Sequence, residues 1–153
     1  MHGPPIRRTH DVTVLDDYAV ISFLRDEAAA DKVATLLRGP TLLPAVNQAE
    51  VIDQLVRTSH RAADDVEADL ALLCHDGMEV ATLDATTATL AGRLRARNYH
   101  RERCAVSLAD CVASAVAIMH DRPLATADPA LADLLRAEHV KIVGLPDSSG
   151  RRP

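Results

Sequence analysis

The chain has 153 residues, which is enough for one compact domain and little more. Aromatic residues make up 2% of it, with one Phe, two Tyr and no Trp, so the core must come from Leu, Val, Ile and Ala, and a single-strand binder that stacks bases on aromatic platforms is disfavoured. The net charge of −5 argues against a protein that only grips phosphates, but not against a nuclease, whose metal-binding carboxylates add to the negative count.

Cys74, Cys104 and Cys111 form no Cys-x-x-Cys pair, and their number is odd, which argues against a disulfide framework or a structural zinc. The opening MHGPPIRRTH carries no signal-like apolar stretch, and no apolar run reaches the ~20 residues that span a bilayer. The expectation is a cytoplasmic protein without membrane association.

Residues 1–10 read as a flexible arm. Val12-Thr13-Val14-Leu15 reads as a buried strand, followed by helical pattern over Asp17–Arg25 and Ala28–Arg38 that Gly39-Pro40 stops. Thr41-Leu42-Leu43 is a second strand. Helices follow over Asn47–Thr58 and Ala62–His75, the latter ended by Gly77. Met78–Leu83 is a third strand, and Asp84 opens a helix that runs to Arg97. After a polar stretch come a helix at Leu108–His120, a strand at Pro123–Thr126, a helix at Pro129–Glu138 and a last strand at Val140–Val143. Residues 146–153 read as a flexible polar tail. The alternation predicts an α/β domain with a parallel sheet of about five strands and helices on both faces.

In such a sheet, ligands bind beyond the carboxyl ends of the strands. Asp16 follows the first strand directly and Asp128 the fourth. Glu50 falls in the first turn of the helix after the second strand, and Asp110 begins the helix at 108–120. Each acid also has a plain reading as a cap. Asn47-Gln-Ala-Glu50 and Ser107-Leu-Ala-Asp110 resemble capping boxes, Asp128-Pro129 an N-cap with Pro at the first helical position, and Asp16 or Asp17 can cap the first helix.

Asp110 strains the plain reading most. It is the only charged residue between Ser107 and Met119. Leu108, Val112, Ala115 and Met119 form a stripe at helical spacing, read as buried, and the opposite side is also rich in Ala. A carboxylate in so apolar a helix needs a partner, either a protein group or a metal ion. Gathered carboxylates repel one another without a cation, and hard oxygen donors suit Mg²⁺ or Mn²⁺. A metal held there would lower the pKa of a bound water and brace a phosphate.

These residues resemble the motifs of PIN-domain ribonucleases: Val14-Leu15-Asp16 before a helix, Glu50 in Asn47-Gln-Ala-Glu50-Val51, Ser107-Leu-Ala-Asp110-Cys-Val-Ala, and Leu124-Ala-Thr-Ala-Asp128. The last two are similar to the VapC branch of toxin–antitoxin systems. The resemblance covers residues 12–143, and the PIN domain is expected at 11–145. It implies Mg²⁺- or Mn²⁺-dependent cleavage of RNA, a homodimer, and a VapB-type antitoxin that inserts a peptide near the site. Asp16, Glu50, Asp110 and Asp128 carry over as catalytic metal ligands, with Thr126 and Ser107 in support.

Where the family often has a small residue and then Ser or Thr after the first Asp, this chain has Asp17 and Tyr18. Asp17 reads as an added carboxylate or, the preferred reading, as a helix cap. Five arginines lie between Arg93 and Arg103. Of these, Arg93, Arg95 and Arg97 are candidates for guiding an RNA backbone, or are solvated cations at a helix C-terminus. Two other readings stay open: a PIN fold that has lost catalysis and only binds, and a phosphoacceptor receiver domain built on Asp16-Asp17, Asp84 and Lys141.

Overall fold

Short apolar runs without polar alternation become strands buried on both faces. The computed structural model describes residues 12–153; the expected arm at 1–10 lies outside them. The chain order is β1 (Thr13–Leu15), α1 (Asp17–Leu24), α2 (Ala30–Leu37), β2 (Thr41–Pro44), α3 (Ala45–Ser59), α4 (Ala63–His75), β3 (Met78–Ala81), α5 (Ala85–Asn98), α6 (Leu108–His120), β4 (Leu124–Thr126), α7 (Pro129–Ala137) and β5 (Ile142–Gly144).

The five strands make one parallel sheet in the order β3-β2-β1-β4-β5. Side chains alternate between its two faces. Val14, Leu42 and Leu124 point into a core shared with α5, α6 and α7, while Leu15, Leu43 and Ala125 point into a core shared with α1, α3 and α4. The expected α/β architecture is therefore present. A receiver domain orders its strands 2-1-3-4-5, so the observed order overturns that reading. Asp84, which the reading needed as phosphoacceptor, instead caps α5 beside the edge strand β3 and accepts the Thr87 backbone N–H at 2.8 Å.

Three local expectations change. β3 ends at Ala81, because it pairs only with β2 and its ladder stops where β2 ends, at Pro44. In α6, Leu108 and Met119 are exposed rather than part of a buried stripe; the buried residues run from Ala109 through Ala117 with Asp110 partly covered. The helix is covered on one side by β1, β2 and β4 and on another by α5, so nearly its whole girth is used. Residues 146–153, expected as a loose tail, contain a hydrogen-bonded turn. Asp147 N–H donates to Arg151 O at 2.7 Å, and the Asp147 carboxylate accepts from the Ser149 and Arg151 backbones at 2.8 and 2.9 Å.

All strands run the same way, so their carboxyl ends form one rim. The helices return antiparallel to the strands, which brings the N-termini of α1, α3, α6 and α7 to that same rim.

Candidate active site

Asp16 stands where β1 stops. Leu15 pairs with Ala125 of the neighbouring β4, so Asp16 and Thr126 leave the centre of the sheet side by side. Asp16 is only 3% exposed and caps α1, accepting the Ala19 backbone N–H at 2.9 Å. Burial pushes its carboxyl up to about 8, against the Thr126 hydroxyl that favours the charged form, and the Asp17 charge raises it further.

Asp17 is not the cap, because Asp16 already holds that place. Its carboxylate instead receives Asn47 Nδ2 at 3.0 Å and Gln54 Nε2 at 3.2 Å from α3. This corrects the expected capping box at Asn47-Gln-Ala-Glu50. α3 begins at Ala45, with Pro44 as a cap that offers no side-chain bond. Asn47 is thus already inside the helix, fully buried, and Glu50 lies in the second turn with no capping role. Burial raises the Glu50 carboxyl to about 7, and the adjoining Asp17 raises it in the same direction.

Asp110 enters from α6 and closes a reciprocal box with its N-cap: Ser107 Oγ accepts the Asp110 N–H at 3.0 Å, and Asp110 Oδ2 accepts the Ser107 N–H at 2.8 Å. The partner that the apolar helix demanded is therefore partly local. Burial still raises this carboxyl, against the two Ser107 bonds, and the Asp128 and Asp17 charges add to the rise.

Asp128 caps α7 through the Ala130 N–H at 2.9 Å, with Pro129 at the first helical position. Its own N–H donates to Thr126 Oγ1 at 3.0 Å. The fully buried Thr126 hydroxyl thus accepts from the backbone of one acid and favours the charged form of another.

The rim therefore carries five acids, Asp16, Asp17, Glu50, Asp110 and Asp128, several of which raise one another's pKa. No Lys or Arg makes an ion pair with any of them among the described residues. Among those residues, no three His, Cys, Asp or Glu side chains are drawn together as a ready metal cage. The acids are an open set of neighbours rather than a closed ligand shell.

The sequence matches the PIN domain family over residues 13–136. The chain belongs to the PIN domain family. A comparison with curated protein sequences finds no match. Among solved structures this PIN domain is similar to the Mycobacterium tuberculosis toxin VapC20, described as sarcin–ricin loop cleaving, at 17% identity and TM-score 0.64, covering 79% of this chain and 93% of that one. It is similar to DNA-bound VapBC from Salmonella typhimurium at 16% identity and TM-score 0.64, covering 86% of this chain and 96% of that one. It is also similar to FitAcB from Neisseria gonorrhoeae at 18% identity and TM-score 0.60, covering 85% and 95%. At these identities the likeness shows a shared fold.

The three arginines singled out in this PIN domain have different surroundings. Arg97 makes a two-pronged ion pair with Glu138 at 2.8 and 2.9 Å. Arg95 lies over the Tyr99 ring, 4.3 Å from its centre, and donates to Val106 O at 3.1 Å, just before the Ser107 cap. Arg93 is exposed and has no ion-pair partner among the described residues. The residues that sequence reasoning missed are Asn47, as a buried amide on Asp17, and Gln54. A signal for them existed, since Asn47, Glu50 and Gln54 fall at i, i+3 and i+7, on one face of α3.

Proposed function

We propose that this chain is a metal-dependent endoribonuclease that acts as the toxin of a VapBC-type toxin–antitoxin module. The observation that carries the reading is the rim of mutually repelling, partly buried carboxylates that no Lys or Arg pairs with among the described residues. PIN-family membership and the toxin–antitoxin structures of the same fold support it.

The donor set fits Mg²⁺ or Mn²⁺. These cations take carboxylate oxygens, and Mg²⁺ keeps several of its waters, so an open set of acids suits it better than a closed cage. In this reading Asp16, Asp110 and Asp128 hold the metal, with Glu50 as a further ligand. When bound, the dication supplies an activated water and charge stabilisation at the phosphate.

The chain's own residues do the positioning. The Ser107 box fixes the Asp110 carboxylate, and the Thr126 hydroxyl holds the Asp128 backbone. Glu50, raised to about 7 in the metal-free protein, gives up its proton as a cation is bound. The helix N-termini that reach the rim add a positive potential that favours a bound phosphate. No Ser or Cys nucleophile is needed. Cys111 is buried, with its thiol pushed up to about 11 by burial, and serves packing.

The proposed substrate is RNA, met in the cytoplasm. The proposed partners are a VapB-type antitoxin and a second copy of the chain. No helix among the described residues is long and apolar enough to cross a membrane. The test is cleavage of structured RNA, tRNA included, by purified protein with and without Mg²⁺ or Mn²⁺, beside Asp16→Asn. Metal-dependent cutting that the variant loses is expected. No cutting by the wild type, or equal cutting by both, overturns the reading.

A further inference from the structure

Asp17 is the point at which this chain departs from its family's usual small residue, and it is held with more care than a helix-end acid requires. We propose that Asp17, Glu50 and the side-chain oxygen of Asn47 form an additional oxygen-donor seat for a hydrated divalent cation, which makes Asp17 a metal-holding residue of this chain. The inference rests on the reading of the rim as a metal-dependent site.

Two neutral amides frame the Asp17 carboxylate, Asn47 Nδ2 on Oδ1 at 3.0 Å and Gln54 Nε2 on Oδ2 at 3.2 Å. Neutral donors orient a carboxylate without cancelling its charge. No ion pair engages Asp17 among the described residues. The helix cap is already supplied by Asp16, so capping does not account for Asp17.

The independent observation lies on Asn47. Its side chain is fully buried, and its Oδ1 has no hydrogen-bond partner among the described residues. A buried amide oxygen without a partner is rare and calls for an ion or a water. Nδ2 of the same amide donates to Asp17, so Oδ1 lies one amide width from that hydrogen bond. Glu50 follows three residues later on the same face of α3, and the Asp17 charge helps raise its carboxyl. A lone water would answer the Asn47 oxygen but leave the repulsion between Asp17 and Glu50 uncompensated. A dication answers both, and two carboxylates with an amide oxygen are the hard donors that Mg²⁺ and Mn²⁺ prefer.

The test is a titration of the metal-free protein with Mn²⁺ alone, without RNA, following free Mn²⁺ by electron paramagnetic resonance. Asp17→Asn and Asn47→Leu are compared with the wild type and with Asp133→Asn, a control on the exposed side of α7; thermal unfolding checks the fold of each. Asp17→Asn is expected to weaken binding about tenfold or more, Asn47→Leu to weaken it in the same direction, and Asp133→Asn to leave it unchanged. Since Asn47→Leu keeps every carboxylate, it gives a separate answer should Asp17→Asn fold poorly. Wild-type binding that both variants retain overturns the Asp17 seat and leaves the nuclease reading standing. A wild type that takes up no Mn²⁺ overturns both.

Discussion

Asp110 and Ser107 cap each other: the Asp110 carboxylate accepts the Ser107 N–H at 2.8 Å, and the Ser107 hydroxyl accepts the Asp110 N–H at 3.0 Å. One carboxylate oxygen is spent on the backbone, which fixes the direction of the other. Ser107→Ala removes half of this box. The expected cost is about 1 kcal/mol of stability, read by urea unfolding. RNA cleavage is expected to fall about tenfold as Asp110 loses its fixed direction. Unchanged cleavage in a destabilised variant would reduce Ser107 to a helix cap.

The buried acids give the metal-free protein a definite pH dependence. Asp16 is raised from 3.8 to about 8, so the folded state keeps a proton that the unfolded chain has lost. Its contribution is fully present below about 3.8, erodes as pH rises, and is gone above about 8. Glu50, raised from 4.5 to about 7, acts with the same sign. Thermal melts in chelator are expected to show stability falling between pH 5 and pH 8, and Asp16→Asn is expected to flatten that fall and to melt higher at pH 8. A melting temperature that climbs over this range in the wild type contradicts the assignment.

Thr126 has no exposed surface; its hydroxyl accepts the Asp128 N–H and favours the charged form of Asp16. Thr126→Val keeps the shape and removes the hydroxyl, leaving the partly buried Asp128 N–H unanswered. The expected loss is about 1–3 kcal/mol, together with weaker Mn²⁺ binding, and Thr126→Ser is expected to recover most of both. Equal behaviour of the Val and Ser variants would show that Thr126 only fills space.

The arginines of α5 should separate. Arg93 is exposed and unpaired among the described residues, whereas Arg97 is engaged by Glu138. In metal-free binding to RNA, Arg93→Ala is expected to reduce the slope of log affinity against log salt by about one. Arg97→Ala is expected to change that slope less. The reverse order would show that the Glu138 pair opens to receive RNA.

How legible the sequence was follows from which forces set each feature. The strands were readable because a sheet buried on both faces demands continuous apolar runs, as at Thr41-Leu42-Leu43. The caps at Ser107 and Asp128 were readable because capping is local, set within three residues. Asn47 was misread for the same reason: its spacing to Glu50 imitates a capping box, but the helix starts two residues earlier, at Ala45, and the amide answers to Asp17, thirty positions away. Leu108 looked buried by periodicity, yet α6 is covered by α5 and the sheet in a way that leaves its first residue outside. Contacts between elements decide such cases, and one chain's pattern does not contain them.

The central claim is that the rim acids serve chemistry and not only helix ends. The most direct test is the initial rate of RNA cleavage at fixed Mn²⁺ for the wild type and Asp110→Asn, with urea unfolding measured on both. The account predicts that the variant, which keeps an oxygen to accept the Ser107 N–H, stays folded and cuts at least about 100-fold more slowly, as loss of an electrostatic group at a reacting centre does. A folded Asp110→Asn that cuts within about twofold of the wild type, well under the 1.36 kcal/mol that marks a tenfold change, would contradict it.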